Sequence, residues 1–138
     1  MEFFATLKLV ATEEELQQQL KVETVTHFCA SIYEVMSYEK DTAEVSMVWG
    51  RFNVLRECIR GGVRFTLPNC LNGVAWTITI SPDDRVQEVM VHCTINRKEQ
   101  DTDFVESLED FVADWAVGLE QHFPLKIDVN ESHRAKHA

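Results

Sequence analysis

The stretch Thr102–Phe123, TDFVESLEDFVADWAVGLEQHF, decides the reading of this chain. Its apolar residues Phe104, Val105, Leu108, Phe111, Val112, Trp115 and Leu119 recur in steps of three, four and seven, the repeat that places side chains on one face of an α-helix. Asp101, Thr102 and Asp103 each offer an oxygen to the free N–H groups of a first helical turn, and Asp103 with Glu106 is a weaker variant of the capping box. Pro124 cannot donate the next backbone bond, so the helix stops before it. Burying that apolar stripe is worth roughly 10–20 kcal/mol gross, at about 1.5–3 kcal/mol per large side chain, before conformational entropy is subtracted. A sheet or further helices must therefore cover it.

The opposite face of this helix is acidic. Between Glu99 and Glu120 there are eight carboxylates and no Lys or Arg. Two readings are open. The first is a solvated face whose first-turn acids favour the helix dipole. The second is a docking face for a basic protein surface. In that reading Asp103, Glu106, Asp110 and Asp114 supply charge, and Ala113, Ala116 and Val117 form a small apolar centre. Gly118 interrupts the helix near its end, at a cost of about 1 kcal/mol, and marks either fraying or the close approach of another backbone.

At 138 residues the chain reads as one domain, long enough to bury a core without disulfides or metal. A hydrophobic content of 45%, with eight Phe and three Trp, argues against disorder. The net charge of −10 disfavours direct contact with nucleic acid or an anionic membrane, since phosphates repel such a surface. No run approaches the ~20 apolar residues of a membrane span. Met1-Glu2-Phe3-Phe4 carries no positive n-region of a secretory signal, so a cytoplasmic protein is expected. Cys29, Cys58, Cys70 and Cys93 are spread singly, which fits reduced thiols in that compartment.

Outward from the helix, Val74–Ile80 and Val89–Ile95 alternate cleanly around the turn residues Ser81-Pro82-Asp83-Asp84-Arg85 and read as a hairpin, with His92 and Thr94 facing out. Glu2–Val10 alternates as a first strand. Thr12 with Glu15 has capping-box spacing for a helix carrying Leu16 and Leu20. From Glu23 to Met36 the pattern is divided, and helix is the preferred reading because Val25, Phe28, Cys29, Ile32 and Met36 share a face. Val45, Met47 and Trp49 make a short strand, and Leu125, Ile127 and Val129 another.

Arg51–Leu67 is the hardest stretch. As a helix over 51–60, it places Phe52, Leu55, Cys58 and Ile59 on one face and ends on Gly61-Gly62 as a glycine cap. As a hairpin with a Gly-Gly turn, it pairs Arg60 with Val63 and Arg56 with Leu67, setting arginines among apolar residues. A three-residue loop pairs Ile59 with Val63 but sets Glu57 against Phe65. Helix is preferred. The expected architecture is α+β: a mostly antiparallel sheet of about four to six strands, a long C-terminal helix packed on one face, and one or two helices after the first strand. Residues 1–129 form the single domain and 130–138 a polar, mobile tail.

The chemistry offered by the sequence is sparse. Arg51, Arg56, Arg60 and Arg64 fall within fourteen residues against one acid, Glu57. They read as dipole partners at a helix end, as an anion site built from Arg56, Arg60 and Arg64 beside Gly61-Gly62, or as the complement of the acidic helix of a second copy in a homodimer. His92 and Cys93 are strand neighbours and point to opposite faces, and His27 and Cys29 diverge on a helix, so no metal or thiol site is expected. No catalytic motif and no cofactor signature is present. The functional expectation is a non-catalytic, acidic protein-binding module using the carboxylate face of the C-terminal helix. Small size, acidity, a sheet and a closing helix form a profile shared with secretion chaperones, toxin-immunity proteins and other protein-binding inhibitors. The alternative is a small-molecule binding protein or enzyme, with an anionic ligand held in a pocket between sheet and C-terminal helix.

Overall fold

The computed structural model describes residues 1–83, 85–97 and 100–125. In chain order the elements are β1 (Glu2–Leu7), α1 (Glu13–Gln19), a 3-10 turn (Val22–Thr24), α2 (Val25–Phe28), β2 (Ile32–Glu39), β3 (Thr42–Met47), β4 (Gly50–Ile59), β5 (Gly62–Thr66), β6 (Ala75–Ile80), β7 (Val89–Thr94) and α3 (Thr102–His122). The strands form one antiparallel seven-stranded sheet in the order β1-β7-β6-β5-β4-β3-β2. The fold is α+β as expected, but the sheet has seven strands rather than four to six, because two stretches read as helical are extended.

The helix that anchors the sequence reading forms as its pattern dictates. Asp101 is the N-cap, its carboxylate accepting from the Asp103 N–H at 3.1 Å. Leu108, Phe111, Val112, Trp115 and Leu119 are buried against the sheet. Thr12 likewise caps α1, accepting from the Glu15 N–H at 3.1 Å. The β6–β7 hairpin forms with Trp76 opposite Cys93 and Ile78 opposite Val91 on the inner face.

Residues 23–36 are not one helix. Val25–Phe28 is a single helical turn, and the chain reverses at Cys29–Ser31 before β2 begins at Ile32. Pairing between β2 and β3 shifts register between Ile32 and Glu34 and again between Val35 and Ser37. Each shift inserts a residue and breaks the period-two alternation that would have marked a strand.

Arg51–Ile59 is also strand, and neither hairpin register weighed above is the one adopted. The turn is Arg60-Gly61, with Gly61 at φ +89°. Ile59 pairs with Gly62, Cys58 with Val63, and Arg56 with Phe65. The objection to a hairpin was that it sets arginine among apolar residues, and this does happen to Arg56. Its solution is non-local. The Arg56 guanidinium donates to the Leu20 carbonyl at 2.6 Å, to the Gln17 carbonyl, and to the Asp41 carboxylate at 3.1 Å. It thus satisfies carbonyls that α1 leaves free at its C-terminal end.

The core lies between the inner face of the sheet and the three helices. Phe65 and Trp76 from the sheet meet Phe111 and Trp115 from α3, with ring centroids 4.8–6.2 Å apart. Beyond α3, Val10 donates its N–H to the Pro124 carbonyl at 2.8 Å, and Leu9 bridges Leu125. The strand expected over Leu125, Ile127 and Val129 and the tail 130–138 otherwise fall outside the described residues.

Candidate functional site

Two candidate sites were legible in the sequence, and the structure treats them differently. The first is the outward face of α3. Asp103, Glu106, Asp110, Ala113 and Val117 are all exposed, and Asp114 is half-buried. Their spacing makes a stripe about 21 Å long, at about 1.5 Å per residue. Among the described residues no Lys, Arg or His comes within ion-pair distance of these carboxylates; the ion pairs present are Arg51–Glu44, Arg56–Asp41, Arg85–Asp83 and His92–Glu2. Val117 leaves 53% of its surface in solvent at the C-terminal end of the stripe.

Asp114 has a structural task that the other acids lack. Its carboxylate accepts from the Ser31 hydroxyl at 2.5 Å, and the Ser31 carbonyl accepts from the Val48 N–H at 2.9 Å. This ties α3 to the start of β2 and to the β3–β4 turn. Two turns earlier on α3, the Trp49 indole N–H donates to the Ser107 hydroxyl at 2.8 Å, which donates to the Phe104 carbonyl at 2.6 Å. At the C-terminal end, Gly118 is packed against the Phe28 carbonyl so closely that a Cβ would lie 1.7 Å from that oxygen. Gly118 therefore marks a close backbone approach rather than fraying. The helix that carries the acidic stripe is thus tied at Ser107, Asp114 and Gly118. Ser31 and Ser107 were missed by sequence reasoning, since a lone serine carries no signal of a partner so far along the chain.

The second candidate was the arginine cluster. The structure separates its members. Arg56 points into the core and is consumed by the α1 carbonyls and Asp41. Arg60 sits in the β4–β5 turn, Arg64 is on the outer face of β5 opposite Glu57, and Arg51 pairs with Glu44 at 2.7 Å. Arg56, Arg60 and Arg64 do not converge on one point.

The space between sheet and α3 is filled by the chain's own rings. Phe65, Phe111 and Trp115 are fully buried and Trp76 retains 1% exposure, so these rings pack closely on one another. Two donors in this cluster, Nε1 of Trp76 and Nε1 of Trp115, have no acceptor among the described residues. Trp76 is perpendicular to Phe111, at 81° and 4.8 Å, an edge-to-face ring contact. The two inward cysteines lie in the same apolar environment. Burial pushes the thiols of Cys29 and Cys93 up to about 12, so both stay protonated and unreactive near neutral pH. His92, next to Cys93, faces the other side of the sheet.

This arrangement defines the class of the protein: a single antiparallel sheet folded against one long C-terminal helix, with two short helices between β1 and β2. No family model and no curated protein sequence matches the chain. Solved structures match it in shape. An uncharacterised protein from Bacillus thuringiensis superposes with a TM-score of 0.62 at 11% identity, over 88% of this chain and 98% of that one. The protein XoxI from Bacillus cereus gives 0.63 at 13%, over 88% and 94%. A START superfamily protein from Mycobacterium smegmatis gives 0.57 at 8%, over 88% and 94%. At these identities the likeness is one of fold alone. No helix among the described residues is long and apolar enough to cross a membrane.

Proposed function

We propose that this chain is a non-catalytic protein-binding module that docks a basic protein surface on the outward face of α3. The observation that carries the reading is the row Asp103, Glu106 and Asp110, without an ion-pair partner among the described residues, set beside Ala113 and the exposed Val117 on a helix held from behind. Exposed charges accelerate encounter and choose the partner, and the apolar centre supplies the dry contact. Each exposed pair contributes up to about 1 kcal/mol, and all of them weaken with salt.

The test is affinity capture from the native host, followed by titration of the recovered partner against the triple variant Asp103→Lys, Glu106→Lys and Asp110→Lys. Asp114 is left intact because it also holds Ser31. The expected result is a loss of about 10- to 100-fold in affinity, the effect of a few surface pairs. A partner bound equally well by the triple variant, with no dependence on salt, overturns the reading.

One observation favours a second reading, a small-molecule binding protein with its site between sheet and α3. The orphan N–H groups of Trp76 and Trp115 are two donors without acceptors in the interior, each carrying a desolvation penalty of about 1–3 kcal/mol. The tight ring packing stands against it. Native mass spectrometry of gently purified protein separates the two. A whole multiple of the 15.9 kDa chain supports the protein-binding reading, and a reproducible excess mass supports a retained ligand.

A further inference from the structure

The outer face of the sheet carries an ordered grid. Directly opposed residues on β4, β5, β6, β7 and β1 form the row Glu57–Arg64–Thr77–His92–Phe4. The next row is Leu55–Thr66–Ala75–Thr94–Glu2. The small side chains of Thr77, Ala75 and Thr94 leave a hollow between the long side chains of Arg64 and His92. It is a cleft of about 340 Å³. Ile59 lines its apolar end.

We propose that this cleft binds a single oxyanion, a carboxylate or phosphate monoester, carried on a small organic ligand. Arg64 is exposed, and among the described residues no carboxylate lies within ion-pair distance of it, although Glu57 stands directly opposite. Its guanidinium presents a planar fork of donors that matches an oxyanion. His92 is held rigidly on the far side. Its ring stacks on Phe4 at 4.3 Å and 5°, and its Nε2 meets the Glu2 carboxylate at 3.0 Å. Arg64 and His92 are two strands apart, roughly 9–10 Å at the backbone, with the Thr77 hydroxyl between them. That span admits one tetrahedral or planar anion, with hydroxyls from Thr77 and Thr94 as further donors.

The two carboxylates at the flanks, Glu57 and Glu2, set the size of the ligand's charge. They repel a polyanion while leaving room for one oxyanion at the centre. Ile59 offers apolar surface to the ligand's organic body. The site is independent of the α3 docking face, which lies on the other side of the sheet.

The probes are phenyl phosphate and benzoate, with inorganic phosphate and acetate as anions lacking the organic body. The readout is a backbone amide NMR titration of the whole chain. The expected result is saturable shifts confined to the amides around Arg64, Thr77, His92 and Thr94, with a dissociation constant of about 1 mM or below for one of the aromatic probes. Arg64→Gln weakens it by at least about tenfold, the loss of a charge-assisted contact. Thr77→Val weakens it about threefold, and Arg51→Gln leaves it unchanged. Tighter binding of phenyl phosphate identifies a phosphate monoester, and tighter binding of benzoate a carboxylate. Absence of saturation, shifts scattered over all cationic residues, or an unchanged constant in Arg64→Gln with an intact spectrum overturns the proposal.

Discussion

Arg56 and Arg64 stand on neighbouring strands of one hairpin, yet on opposite faces of the sheet, and the two faces treat a guanidinium differently. On the inner face Arg56 is all but removed from water, and its donors are spent on the carbonyls of Leu20 and Gln17 and on Asp41. On the outer face Arg64 makes no ion pair among the described residues. An inward arginine is tolerable only where a helix end supplies carbonyls, so it behaves as a structural fastener. An outward arginine costs nothing to expose and remains available to a ligand. The layer between sheet and α3 is therefore where a guanidinium serves stability, and the outer face is where one stays open to solvent.

The largest expected effect breaks that inner layer. Trp115→Ala removes a ring that contacts Phe28, Phe65 and Trp76. A loss of about 3–5 kcal/mol is expected in denaturant unfolding. The matched outer change, Thr77→Ala, is expected within about 0.5 kcal/mol of the parent. Equal losses would break the contrast between the faces.

Gly118→Ala comes next. The added Cβ meets the Phe28 carbonyl, and α2 must move away from α3 to admit it. A loss of about 3 kcal/mol is expected, at the upper end for overpacking. Unchanged stability would mean that α2 is free to shift. Arg56→Met follows, keeping an unbranched apolar stem and removing the donors. Free carbonyls at the end of α1 then cost about 2–3 kcal/mol, while Arg64→Gln changes stability by less than about 0.5 kcal/mol.

The smallest effect concerns the buried thiols. Cys29 and Cys93 have folded-state values near 12 against an ordinary 9.0, so folding holds protons that the unfolded chain releases. Stability from this source is fully present below pH 9 and falls as pH rises from 9 toward 12. A thiol reagent at neutral pH should modify Cys58, which is exposed, and Cys70, which is half-exposed, well before the other two. Four equally fast thiols would show that the inner layer opens readily.

The local features of the fold were legible because they are periodic or capped. The stripe of α3, the Thr12 cap and the β6–β7 hairpin each need only residues within one element or one turn of each other. Strand β2 was hidden because two register shifts scramble its alternation. Strand β4 was hidden because Arg56 contradicts a buried strand unless the end of α1 is known to lie above it, thirty-six residues away in sequence. The acidic stripe was legible from spacing alone, whereas the isolation of Arg64 from Arg56 and Arg60 was not.

By itself, then, the sequence determined the class α+β, the closing helix with its apolar and acidic faces, and the hairpin that receives it. Those follow from hydrophobic periodicity and from the hydrogen-bonding needs of chain ends, which are short-range. Only the tertiary structure decided the strand order, the seventh strand, the inward burial of Arg56 and the row that sets Arg64 across from His92. Each of these depends on contacts between residues far apart in the chain, whose free energy appears only once the partner element is in place.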